Sequence, residues 1–325
     1  MSQGNIQINK KDNIQISRWI LDNIVWIWII VLVVLFGAIN PFFFSVFNLQ
    51  NVMVQATVLG MLAIAVSLPL FVAEIDLSIP ANAGFSAAIG ALIIINYGLP
   101  WWLGMFAGLA ISTLIGLFNG WCITRLRMVS LIETLSMMII LQGALLALTK
   151  GTTISALPDG YTWIGQATFA GWPIMPLVLI VALVGLAIIL KRTILGRSIY
   201  AVGGNPNAAK SAGIRVERTK IIAYGISGFV AGTAGFLLAS WQMAITSSQG
   251  SSYLLYAIAA PIIGGVSVVG GRGNVLGILG GVLLLTVIQV GLAITQTPSF
   301  YVTMIGGFMI FVAVAIDAFR VRNYK

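Results

Sequence analysis

The chain has 325 residues, of which 59% are hydrophobic and 8% charged, with a formal net charge of +9. A soluble domain carries roughly 25% charged residues, so this chain cannot face water all round; at about 20 apolar residues per helical span, its length supplies on the order of ten spans and leaves no room for a sizeable soluble domain. The absence of histidine and the single cysteine, Cys122, exclude imidazole metal sites, histidine bases, serine triads and an internal disulfide, so no catalytic or metal-ligating set is expected.

Ten apolar runs follow one another, at residues 24–39, 52–70, 81–95, 101–123, 131–148, 174–190, 221–240, 254–269, 275–294 and 302–316. The first follows a polar stretch holding Lys10, Lys11 and Arg18, laid out like a signal peptide. No A-x-A site precedes Asn40, so it reads as an uncleaved first span, with Trp19, Trp26 and Trp28 suited to an interface. The basic residues cluster between runs: Arg125 and Arg127, seven from Lys191 to Lys220, and Arg320, Arg322 and Lys325 at the end. This is the pattern of short cytoplasmic loops rather than of a nucleic-acid-binding face. Alternation from an inside start places both termini and every basic cluster in the cytoplasm, with Lys150 alone outside. The expected fold is therefore an all-α polytopic bundle of about ten spans, a single transmembrane domain over residues 1–325.

Two spans are predicted to be discontinuous, near 69–80 and 261–273. Pro69 and Pro80 bracket Glu74-Ile75-Asp76-Leu77-Ser78, and Pro261 precedes a stretch from Gly264 to Gly273 rich in glycine. Non-helical backbone at membrane depth is tolerated where it lines a cavity or is buried in protein. One break in each half hints at an internal repeat. Glycines four apart, as in 104 and 108, 116 and 120, and 228 and 232, suit close helix packing within one bundle, or a subunit interface.

Glu133 and Asp317 lie near cytoplasmic ends beside Arg127 and Arg320, which suggests structural ion pairs or interfacial solvation. Asp76 stands between apolar runs, where it either caps a half-helix or faces a pathway. Glu74, Asp76, Ser78, Asn82 and Asn119 are the candidates for a translocation pathway or gate.

The segment 191–220 is the largest between runs. Gly203-Gly204-Asn205-Pro206 reads as a turn leading into a short helix over Asn207 to Ala212 that Gly213 ends. Its small-residue face suits a partner's groove; an amphipathic helix on the membrane surface is the other reading. None of the seven lysines follows a glycine, so there is no P-loop, and any nucleotide energy must come from another chain.

Several motifs in order carry a resemblance: Asn48-Leu49-Gln50-Asn51-Val52, Ile75-Asp76-Leu77-Ser78, Gly116-Leu117-Phe118-Asn119-Gly120, Leu195-Gly196-Arg197, Tyr200-Ala201-Val202-Gly203-Gly204-Asn205-Pro206, and Gly264-Gly265-Val266-Ser267 with Gly270-Gly271-Arg272-Gly273. Over nearly the whole chain the sequence resembles the ribose/xylose-type carbohydrate permeases of ABC importers. The resemblance implies the inner-membrane pore subunit of a binding-protein-dependent importer of a small carbohydrate such as a pentose, hexose or polyol. It implies an ABC ATPase docking on a cytoplasmic coupling segment at Gly204, Asn205, Pro206, Ala208, Ala209 and Gly213. It further implies an extracytoplasmic solute-binding protein, a second permease subunit as homodimer or heterodimer, and no cofactor beyond ATP on the partner. One departure is that Ala73-Glu74 stand where the family usually has Gly-Gly, and Ile79-Pro80 follow. The alternatives are a branched-chain amino acid ABC permease and an ion-coupled secondary transporter.

Overall fold

The computed structural model describes residues 10–298, 300–308, 311 and 315, and within 10–22 the backbone alone. The architecture is all-α. Helices α1 (Lys10–Ile39), α2 (Val46–Phe71), α3 (Ile79–Tyr97), α4 (Trp101–Arg125) and α5 (Ser130–Thr149) lead to a short α6 (Asp159–Gln166). A two-residue antiparallel hairpin, Thr168–Phe169 with Trp172–Pro173, then precedes α7 (Met175–Arg192). Two short helices, α8 (Ile194–Gly204) and α9 (Pro206–Ser211), connect to α10 (Val216–Gln242), α11 (Leu254–Ile263) and α12 (Val275–Ile294), and residues 300–308 are helical.

Seven of these, α2, α3, α4, α5, α7, α10 and α12, are long and apolar enough to cross a membrane. The apolar part of α1, Asn23–Ile39, and the stretch Ser251–Ile263 are shorter. Most of the tenth run, 302–316, lies outside the described residues, as do the termini. The eighth run is corrected: helix holds only to Ile263, and Gly264 to Asn274 are non-helical, because proline in the last turn and five glycines beyond it withdraw both a donor and helix propensity.

Every residue from Ala56 to Val72 is buried. A helix apolar on all sides belongs in the middle of a bundle, and α2 is packed by α7, α10, α11 and α12. Its hydroxyls turn back on their own helix, Thr57 to the Met53 carbonyl at 2.8 Å and Ser67 to that of Ile64 at 2.7 Å, which hides the polar groups. The glycine spacing serves packing inside this chain. Gly116 of α4 meets Gly228 of α10, and a methyl group on Gly116 would strike the Tyr224 carbonyl, one on Gly228 the Ser112 carbonyl. That approach lets Ser112 Oγ of α4 donate to the Gly228 carbonyl at 2.6 Å.

Candidate functional site

Helix α2 runs two residues past Pro69 and stops at Phe71; α3 begins at Ile79 with Pro80 in its first turn, where a missing N–H is harmless. The seven residues between them, Val72 to Ser78, are the first break. It starts as a tight turn: the N–H groups of Ala73 and Glu74 donate to the Leu70 and Pro69 carbonyls, both at 3.0 Å, and Ala73 takes φ 61. A left-handed alanine is uncommon and is held here because the turn is locked on both sides. Hydroxyls of α5 finish the loop, Ser130 Oγ accepting the Ile75 N–H at 3.4 Å and Thr134 Oγ1 that of Leu77 at 3.1 Å.

Asp76 is buried and accepts from both the backbone N–H of Ser78 (2.8 Å) and the Ser78 hydroxyl (2.6 Å) at Oδ1. The carboxylate therefore closes an Asx-type turn immediately before α3. Ser78 Oγ lies 2.9 Å from the Asn119 amide of α4. With its nitrogen turned toward Ile115 O (3.2 Å) and Glu133 Oε1 (3.3 Å), Asn119 presents its oxygen to Ser78 Oγ, whose single proton is then shared between Asp76 and Asn119. Asp76, Ser78, Asn119 and Glu133 thus form one buried polar chain across the break, α4 and α5. Asn82, one turn along α3, donates to the Ser112 carbonyl at 3.1 Å and leaves its own Oδ1 without a partner. Glu133 Oε2 and the Tyr224 hydroxyl of α10 are buried and equally unpartnered.

Glu133 corrects the sequence reading. It is 4% exposed and faces Asn119, and among the described residues it makes no ion pair with Arg127. Nothing in the local sequence marks this, since Arg127, just past the end of α4, is the charge nearest to Glu133 in number. Glu74 does not join the polar chain: it pairs with Lys220 of α10, both largely buried.

The segment after α7 is more helical than its glycines suggest. Gly203 and Gly204 form the last turn of α8, and the predicted turn narrows to Asn205, which ends α8 and caps α9 by accepting the Ala208 N–H at 3.0 Å. Gly213 follows α9 at φ 83, the left-handed position expected of it. Gly204, Asn205, Pro206, Ala208 and Gly213 are exposed, whereas Ala209 is buried. A six-residue helix lying on the bundle must turn one side inward, and Ala209 is that side.

The glycine-rich second break joins α8 to the first. The Gly271 N–H donates to the Phe71 carbonyl at 3.1 Å, and the Tyr200 hydroxyl of α8 donates to the Gly273 carbonyl at 2.8 Å. Phe71 and Tyr200 rings lie 5.4 Å apart. A Cβ at Gly203 would strike the Phe71 carbonyl and come within 2.6 Å of the Gly271 nitrogen. Burial pushes the Tyr200 phenol above its ordinary value, so it stays a donor at physiological pH. Sequence reasoning singled out both breaks and the segment but missed the contacts of Tyr200 with the second break, of Lys220 with the first, and of Glu133 with Asn119.

Residues 48–314 match the family model described as "Branched-chain amino acid transport system / permease component". The chain belongs to this permease family. Among relatives, the permease is 34% identical over 289 residues to the ribose import permease protein of Bacillus subtilis (strain 168), covering 88% of this chain and 89% of that protein. It is 33% identical over 313 residues to the ribose import permease protein of Haemophilus influenzae, covering 95% and 97%. With the L-arabinose ABC transporter permease protein of Azospirillum brasilense it shares 33% over 304 residues, 91% and 88% of the two chains. Family and apolar helices together make the permease a multi-pass protein of the bacterial inner membrane.

Proposed function

We propose that the permease is the pore subunit of an ATP-driven importer of a small carbohydrate. The observation that carries this is identity of 33–34% across nearly the whole length of permeases named for ribose and L-arabinose. The amino acid reading rests on the family description alone, and the ion-coupled reading loses Glu74 to its pairing with Lys220. In this reading residues 1–325 form one domain with ten spans and both termini in the cytoplasm. ATP is bound and hydrolysed by a separate ABC ATPase, the permease itself being no enzyme and holding no cofactor. The ATPase meets the exposed edge formed by Gly204, Asn205, Pro206, Ala208 and Gly213, with Ala209 seating that edge on the bundle. A solute-binding protein delivers sugar from outside, and a second permease subunit, identical or paralogous, completes the pore. Asp76, Ser78, Asn82 and Asn119 form the gate beside the pathway, with Glu74 holding its loop.

Reconstitution in liposomes with the ATPase and binding protein tests the proposal. ATP-dependent uptake of labelled ribose or arabinose is expected; uptake of labelled leucine without sugar uptake would overturn it.

A further inference from the structure

The Glu74–Lys220 pair stands apart from the other ion pair described. Arg125 and Glu217 meet at 3.0 Å with 61% and 55% of their side chains exposed, a geometry that water screens. Lys220 and Glu74 retain only 17% and 15%. Their positions along the chain give the pair leverage. Lys220 lies in the second turn of α10, seven residues after Gly213, so it moves with the end of the α8–α9 segment. Glu74 lies two residues before Asp76, in a loop that no regular ladder holds. The remaining polar ties from that loop to α5 are neutral hydrogen bonds, one to Ser130 and two to Thr134, whose hydroxyl accepts from Leu77 and lies 3.2 Å from the Ile75 carbonyl. Among the described residues the pair is the one charged tie between α10 and the break. A half-buried pair resists separation, because either partner alone would be left as an uncompensated charge in a poorly solvated place. The loop must therefore follow Lys220 when the start of α10 tilts. Tyr200 makes the parallel tie from α8 to the second break through Gly273.

We propose that Glu74 and Lys220 are positioning residues that transmit movement of the ATPase-docking segment to the loop carrying Asp76. The inference rests on the importer reading above and adds the route by which the partner's work reaches the gate. It predicts loss of coupling, not loss of assembly, when the pair is removed.

The test uses the permease with its ATPase and binding protein in liposomes, and reads sugar imported per ATP hydrolysed together with stimulation of ATP hydrolysis by sugar-loaded binding protein. Glu74→Gln and Lys220→Met are each expected to lower both readings by about fivefold or more while the ATPase still co-purifies. The exchanged pair, Glu74→Lys with Lys220→Glu, is expected to restore them to within about twofold of the unaltered complex. Unchanged coupling in the single variants overturns the proposal. An exchanged pair that does no better than the worse single variant, in coupling or in assembly, overturns it as well. If the unaltered complex takes up no sugar, the carbohydrate reading fails instead, and stimulation of ATP hydrolysis by the binding protein still reports on the pair.

Discussion

Asp76 illustrates how a charged group survives between apolar segments. A carboxylate at membrane depth costs about 2.5 to 3.5 kcal/mol unless it is paired or hydrated. Here Oδ1 is met by two donors from Ser78, one of them the backbone N–H at the head of α3. Asparagine keeps a side-chain acceptor for that N–H, whereas alanine leaves the Ser78 N–H stranded at a cost of about 1 to 3 kcal/mol, the hydroxyl still having Asn119 within reach. Asp76→Asn is therefore expected to keep the melting temperature near that of the unaltered protein and to retain most sugar uptake, and Asp76→Ala to lower both. Stable assembly of both variants with altered solute preference would instead place the carboxylate on the pathway, and no change in either would show that it merely meets solvent. The sequence exposed Asp76 because a carboxylate between apolar runs is conspicuous. Glu133, its neighbour through Asn119 and Ser78, was not legible: its nearest charge in number is Arg127, and only the packing of α5 against α3 and α4 brings it inward. Single residues that act through long-range contact leave no periodicity to detect.

Among the elements, the breaks were readable because proline and glycine act locally, on their own hydrogen bonds and dihedral angles. Their meeting was not. Gly271 donating to Phe71, and Tyr200 donating to Gly273, join segments some 73 to 200 positions apart in the chain. The same limit applies to α9, whose short helix was legible in the sequence while its Asn205 cap and its orientation were not. That orientation yields a contrast between adjacent alanines. Ala208 is exposed, so Ala208→Trp is expected to leave the melting temperature within about 0.5 kcal/mol in stability terms yet abolish co-purification of the ATPase. Ala209 is buried, so Ala209→Trp overpacks the seat of the helix and is expected to cost about 1 to 3 kcal/mol or more, seen as a lowered melting temperature. Equal loss of ATPase from both variants with unchanged melting would show that the two faces are not distinguished, and that α9 lies on the surface without a defined seat. Tyr200→Phe removes one hydroxyl and its bond to Gly273 with no change of volume. It is expected to lower transport per ATP while the complex stays assembled, and normal coupling would exclude a role for that contact.

At the scale of the molecule, orientation in the membrane follows from charge and from the number of crossings. Between Thr153, just beyond α5, and Ser211, at the end of α9, the only helix long and apolar enough to cross is α7, of 18 residues or about 27 Å. One crossing puts the two positions on opposite sides. From the last turn of α7 to Lys220 there are seven basic residues against Glu217, whereas the segment before α7 holds Lys150 and Asp159. A basic excess in short loops is retained in the cytoplasm, so Ser211 is expected inside and Thr153 outside. Both side chains are exposed, and the native Cys122 is buried. On a Cys122→Ala background in intact cells, an impermeant thiol reagent is expected to label Thr153→Cys and to spare Ser211→Cys until the membrane is permeabilised. The contrast tests the ATPase-docking face directly, because a segment that met a cytoplasmic ATPase cannot be reached from outside. Labelling of position 211 in intact cells would invert the bundle, set the α8–α9 edge against the wrong compartment and remove the physical basis for nucleotide-driven movement of the breaks.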